Sequence, residues 1–214
     1  MKNVIEIDLD SLPTELKKYV KDTIALANSN GIPVHLLNRK YVSDGGLRCS
    51  GFFSEDDFTV ACNKPILKWF DTFLHESCHM DQFLYNKKLW NSDKIKTTFK
   101  IDLFFNWLDG IIELSPEQLN DYMSSTRNIE LDCEKRSVAK IKKLKLPIDA
   151  QDYARKANSY VIFYNAVAHY RKWYKVGKEP YKIPEIIEAM SDKMDMDYTK
   201  LTKKQIALYK ICFE

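Results

Sequence analysis

No stretch of about 18 uncharged apolar residues occurs in this 214-residue chain, and its first residues, MKNVIEIDLDSLPTELKK, place no apolar segment behind a basic start. Neither a membrane-spanning helix nor a secretory leader is therefore expected, and the reading is of a soluble chain in a cytoplasmic setting. Cysteine is scarce. Cys49, Cys62, Cys78, Cys133 and Cys212 make an odd number with no CxxC pair, so neither a disulfide framework nor a cysteine zinc knuckle is expected. Glycine is equally sparse, at six residues, and no Gly/Ser linker, repeat or low-complexity segment divides the chain.

Apolar residues make up 45% of the sequence, enough at this length to bury a sizeable core. The order of local signals points to an α+β fold. VIEIDL (4–9) alternates with period two and reads as a strand, Ser11 and Pro13 open a helix that Gly31 closes, and PVHLL (33–37) reads as a second strand. LRCSGFF (47–53) and DFTVAC (57–62) suggest a hairpin, giving a small, mainly antiparallel sheet early in the chain. Helical periodicity then runs from Pro65 through Leu84. A further helix is expected from the capping box at Ser115–Gln118, another from about Arg127 to Lys145, and another from Ala150 to about Val176, stopped by Gly177. The expected organisation is a core over residues 1–146 and a helical extension over 147–214.

Charge is uneven. The net value is +3, yet residues 135–178 hold twelve Lys or Arg against Asp149 and Asp152, which is +10 and leaves −7 elsewhere. Such asymmetry can steer an acidic partner, although a solvated basic helix face is the commoner origin.

Histidine is rarer still, at four residues, and two of the four fall in FLHESCHMDQF (73–83). On a helix, His75 and His79 differ by about 40° in direction and present both imidazoles to one point. Glu76 lies beside that point without having to ligate it, which is where a general base for a metal-activated water belongs. Chance would produce HExxH about 0.004 times in a chain of this composition. A catalytic zinc needs a third protein ligand, and RNIELDCEKRSVAKIKKL supplies Glu130 and Glu134 on one helical face. Two such carboxylates repel unless a cation or proton intervenes; the bland alternative is a solvated pair neutralised by Lys or Arg of the same helix. Cys78 and Cys133 each precede a candidate ligand by one residue and read as small core groups. A thiolate from either in the fourth position would close the site and make the zinc structural.

HExxH at 75–79 and ExxxE at 130–134 resemble the zincin metallopeptidases of the gluzincin type, where a second helix bearing ExxxD completes the zinc site. Glu134 stands where that family has aspartate, so the resemblance leaves open which of Glu130 and Glu134 ligates; Glu130 is favoured, with Glu134 beside it. The order of elements is similar to that of small single-domain zincins, including ImmA/IrrE-like and SprT-like proteases and phage-encoded relatives, over about residues 47–146. The resemblance implies one Zn2+ on His75, His79 and Glu130, Glu76 as base, a protein or peptide substrate held by strand addition, and an oxyanion-stabilising side chain for which Tyr160, Tyr164 and His169 are candidates by type.

Two functions follow as expectations. One is a zinc-dependent peptidase. The other is a non-catalytic zinc-containing binding protein in which the basic 135–178 segment, with its interleaved aromatics, contacts nucleic acid or an acidic protein.

Overall fold

The computed structural model describes residues 2–214, the side chain of Leu47 excepted. Along the chain run β1 (Val4–Ile5), α1 (Thr14–Ser29), β2 (Val34–Leu37), β3 (Val42–Asp44), β4 (Leu47–Cys49), β5 (Gly51–Phe53), β6 (Phe58–Ala61) and α2 (Ile66–Tyr85). They are followed by α3 (Lys87–Trp90), β7 (Lys94–Ile95), β8 (Thr98–Phe99), α4 (Lys100–Leu108), α5 (Pro116–Leu144), α6 (Ala150–Tyr170), α7 (Pro184–Glu188) and α8 (Lys203–Tyr209). The fold is α+β, as expected, and 58% helical. No helix of the described residues is long and apolar enough to cross a membrane.

The chain forms two compact units: Met1–Lys87 with Ala139–Ile148, and Lys88–Val138 with Asp149–Glu214. α5 is shared between them, belonging to the second unit as far as Val138 and to the first from Ala139.

In the first unit the principal sheet has the order β1-β2-β6-β5 and is mixed, not mainly antiparallel. β1 runs parallel to β2 and β2 parallel to β6; the antiparallel pairing is β5 with β6. The reason is connectivity: α1 returns the chain between β1 and β2, as a parallel pair requires, whereas Ser54–Asp57 is a tight turn. β4 turns away from the β5–β6 hairpin and pairs with β3 around Gly45 and Gly46, both at positive φ. β1 is shorter than VIEIDL, because the Asp8 carboxylate accepts from the Asp10 N–H at 2.9 Å and starts a tight helical turn.

Leu16, Val20, Val34, Leu36, Phe58, Val60, Phe70, Phe73 and Leu74 are fully buried. Each large apolar side chain so removed from water contributes about 1.5–3 kcal/mol. Phe58 stacks on Phe73 at 5.1 Å, joining β6 to α2. Gly51 sets how closely β5 approaches α2, since a Cβ there would lie 2.8 Å from Thr72 Cγ2 and 2.9 Å from the Thr59 carbonyl oxygen.

In the second unit α6 is the central helix, burying Ala154, Val161, Ile162, Phe163, Ala166 and Val167. α6 stops at Tyr170 instead of about Val176. Arg171 takes a left-handed conformation (φ 49°), and Trp173 and Tyr174 fold back on Phe163 at 5.4 and 5.5 Å. α5 is one helix of 29 residues and not two. Its middle finds partners within the unit: Ser125 Oγ donates to the Ser92 carbonyl, Thr126 Oγ1 to Asp93, and Arg127 Nη1 to Asn165 Oδ1 at 2.6 Å. The capping box forms as expected, with the Gln118 N–H on Ser115 Oγ and the Ser115 N–H on Gln118 Oε1.

Candidate metal centre

α2 carries HESCH just past its midpoint, and the burial of each residue follows its angular position. Ser77 and Cys78 are fully buried, Glu76 and His79 nearly so, and His75 is partly open. His75 Nε2 and His79 Nε2 lie 3.1 Å apart, with the rings crossing at 85°. Two imidazoles on a tetrahedral zinc at about 2.0–2.1 Å have ligand atoms about 3.3 Å apart, so the pair is already close to a chelating separation.

The His79 ring is oriented by Gln82, whose Oε1 lies 2.9 Å from His79 Nδ1. Nδ1–H donating to that oxygen leaves the Nε2 lone pair facing His75. Burial, reinforced by the charge of His75, pushes the His79 pKa down to about 3. The imidazole is therefore neutral at physiological pH, the form a metal takes. Gln82 was not singled out in the sequence, although its place three residues after His79, on the same side of the helix, was legible there.

Glu76 faces the β4–β5 region of its own unit. The Cys49 thiol is pushed up first by burial and then by the charge of Glu76. The position of Glu76 on α2 is about 100° round from His75 and about 60° from His79, beside the imidazole pair and not between the two rings.

Behind HESCH sits a polar network within the same unit. Ser77 Oγ donates to the Leu74 carbonyl at 2.6 Å and meets Tyr19 Oη at 2.5 Å. Lys140 Nζ, from the end of α5, donates to Tyr19 Oη at 2.9 Å and to Ser77 Oγ at 3.3 Å, and pairs with Asp81 at 2.8 Å. Burial alone would lower the Lys140 pKa, but the charges of Cys78, Tyr19 and Asp81 outweigh it and hold the ammonium protonated. Ser77 is thereby an internal tie and not a nucleophile. No sequence signal pointed to Lys140, because its partners are 59 to 121 positions away.

In the second unit, the α5 segment that supplies the other candidates is withdrawn from water: Cys133 is fully buried, Glu134 6% exposed and Glu130 half-buried. Two solvated glutamates are thus not what the structure contains. Tyr160 and Tyr164 are neighbours of Glu130. Their hydroxyls lie 3.2 Å apart, and both pKa values are raised well above the ordinary range, by burial first, with the Glu130 charge contributing to each. His169 stands on the other side of α6, exposed and edge-on to Tyr170 at 4.8 Å.

Part of the basic 135–178 segment is engaged in ion pairs, Arg136–Asp132 at 2.6 Å and Lys156–Asp152 at 2.5 Å among them. Its Phe163 and Tyr164 are buried, so these rings are core and not a stacking surface.

No family model matches the chain, and neither a curated protein nor a solved structure was found to be similar to it.

Proposed function

We propose that this protein is a zinc-dependent peptidase in which His75 and His79 bind the ion and Glu76 is the general base. The observation that carries this reading is the pair of Nε2 atoms 3.1 Å apart, one of them on an imidazole kept neutral by burial and oriented by Gln82. When bound, zinc would polarise a carbonyl and lower the pKa of its water towards 7. The chain's own contribution is to hold two neutral imidazoles on one helix face, shelter the Glu76 carboxylate from bulk water, and offer a third donor from α5. Glu130 is assigned that place, with Glu134 beside it and the Tyr160 and Tyr164 hydroxyls near Glu130 as donors.

A second reading has a specific observation in its favour. His75, His79 and Cys133 are of the types that hold a soft divalent cation and form a candidate group for one. With a thiolate and a carboxylate both bound, the metal would have no open position and the protein would be a zinc-stabilised scaffold.

X-ray absorption at the zinc edge of the metal-loaded protein separates the two. A shell of nitrogen and oxygen at about 2.0–2.2 Å supports the peptidase, and a sulfur at about 2.3 Å supports the scaffold. Loss of peptide hydrolysis in Glu76→Gln with zinc content retained completes the test of the first reading; hydrolysis that survives this change overturns it.

A further inference from the structure

The first unit holds a second concentration of chemistry that the metal centre does not use. Arg39, Lys40, Tyr41 and Arg48 line an open cleft of about 440 Å3 beside the β3–β4 hairpin. Tyr41 is 54% exposed, unusual for a large aromatic ring. Its ring is flanked by the Arg48 guanidinium at 5.5 Å and Lys64 Nζ at 5.7 Å from the centroid. The arrangement is held from behind. The Arg39 carbonyl accepts from the Asn63 N–H at 3.0 Å, and Lys64 Nζ donates to Ser50 Oγ at 2.7 Å. Among the described residues Arg39, Lys40 and Arg48 form no ion pair, and the acidic residue of the hairpin is Asp44, at its turn.

We propose that this cleft binds an acidic peptide segment, with carboxylates taken by Arg39, Lys40 and Arg48 and adjacent apolar atoms laid on the Tyr41 ring. Guanidinium groups meet carboxylates in a two-pronged geometry, and an aromatic ring among cations supplies contact area at low entropic cost. The location favours peptide, because Arg48 is followed by Cys49, whose thiol feels the charge of Glu76. An acidic stretch in the cleft would run along β4 towards the proposed base. The substrate preference inferred here, for acidic residues flanking the cleaved bond, rests on the peptidase reading; the binding site does not.

The test is fluorescence anisotropy of a fluorescein-labelled oligoglutamate peptide and its glutamine counterpart with the full-length Glu76→Gln protein. Binding at least about tenfold tighter for the glutamate peptide, weakened about tenfold by Arg48→Gln or Arg39→Gln and untouched by Lys200→Gln, is expected for charge-assisted contacts. Circular dichroism of each variant excludes unfolding. Equal binding of the two peptides, indifference to the arginine changes, or tighter binding of labelled oligothymidylate through the same arginines overturns the proposal. Acidic-peptide binding by a wild-type protein that cleaves nothing leaves the cleft assignment intact and removes the peptidase instead.

Discussion

At the scale of single residues, two buried polar side chains, Gln82 in the first unit and Asp93 in the second, have opposite consequences. Gln82 fixes which nitrogen of His79 faces His75, since its amide oxygen takes the Nδ1 proton. Partners of this kind are worth about 10- to 100-fold in metal affinity. Gln82→Met keeps the volume and removes the acceptor, so zinc affinity by chelator competition should fall by that factor. An unchanged Kd would mean that packing alone orients the ring. Asp93, in the second unit, is 4% exposed, and burial raises its pKa from 3.8 to about 6 despite the Thr126 hydroxyl. The folded state therefore holds this proton more tightly than the unfolded chain does. The stabilising effect of that proton is complete below the unfolded pKa and is lost as pH rises through about 6. A shift of about two units corresponds to about 3 kcal/mol between pH 3 and pH 7.5. Asp93→Asn should accordingly raise the urea midpoint at pH 7.5 and leave it unchanged at pH 3. Parallel pH profiles for the two proteins would show that Asp93 ionises without penalty.

At the scale of elements, the position of α2 is set by β5 and by the α1 and α5 side chains that reach it. Gly51 lets β5 lie against Thr72, one turn before His75. Adding a methyl group there forces backbone or helix to move, at a cost of about 1–3 kcal/mol. Gly51→Ala should lower the urea midpoint by that amount and weaken zinc binding with it; a fully stable variant with native zinc affinity would disconnect strand placement from the metal pair. The helices themselves were legible to different degrees. α2 and the start of α5 announce themselves through apolar periodicity and the Ser115–Gln118 cap, which are local properties. The continuity of α5 through Ser125–Arg127 was not legible, because its support comes from Ser92, Asp93 and Asn165, as many as 38 positions away. α6 ends before the Gly177 stop signal for the same reason: Trp173 and Tyr174 leave the helix to pack on Phe163.

At the scale of the whole molecule, zinc that binds the folded chain and not the unfolded one must stabilise it. At a free concentration a hundredfold above Kd the gain is about 2.7 kcal/mol. For a chain of this size that amounts to about 5–10 °C in Tm. Scanning calorimetry of the zinc-loaded protein against the chelator-stripped one should show this difference, and His75→Ala with His79→Ala should abolish it. Identical curves would remove the metal from the description.

The sequence by itself determined that His75, Glu76 and His79 share a helix face, because 3.6 residues per turn is a local rule that needs no partner. It also indicated an α+β chain, with the helices after the hairpin. Tertiary structure decided what local rules do not reach: that the sheet is mixed, that Glu134 and Cys133 lie away from water, that Lys140 closes the network behind Ser77, and that Arg48 and Lys64 flank the Tyr41 ring. Each of these depends on which distant segments share a surface. That choice is made by burying apolar area and pairing buried polar groups over the chain as a whole, and no spacing along the sequence encodes it.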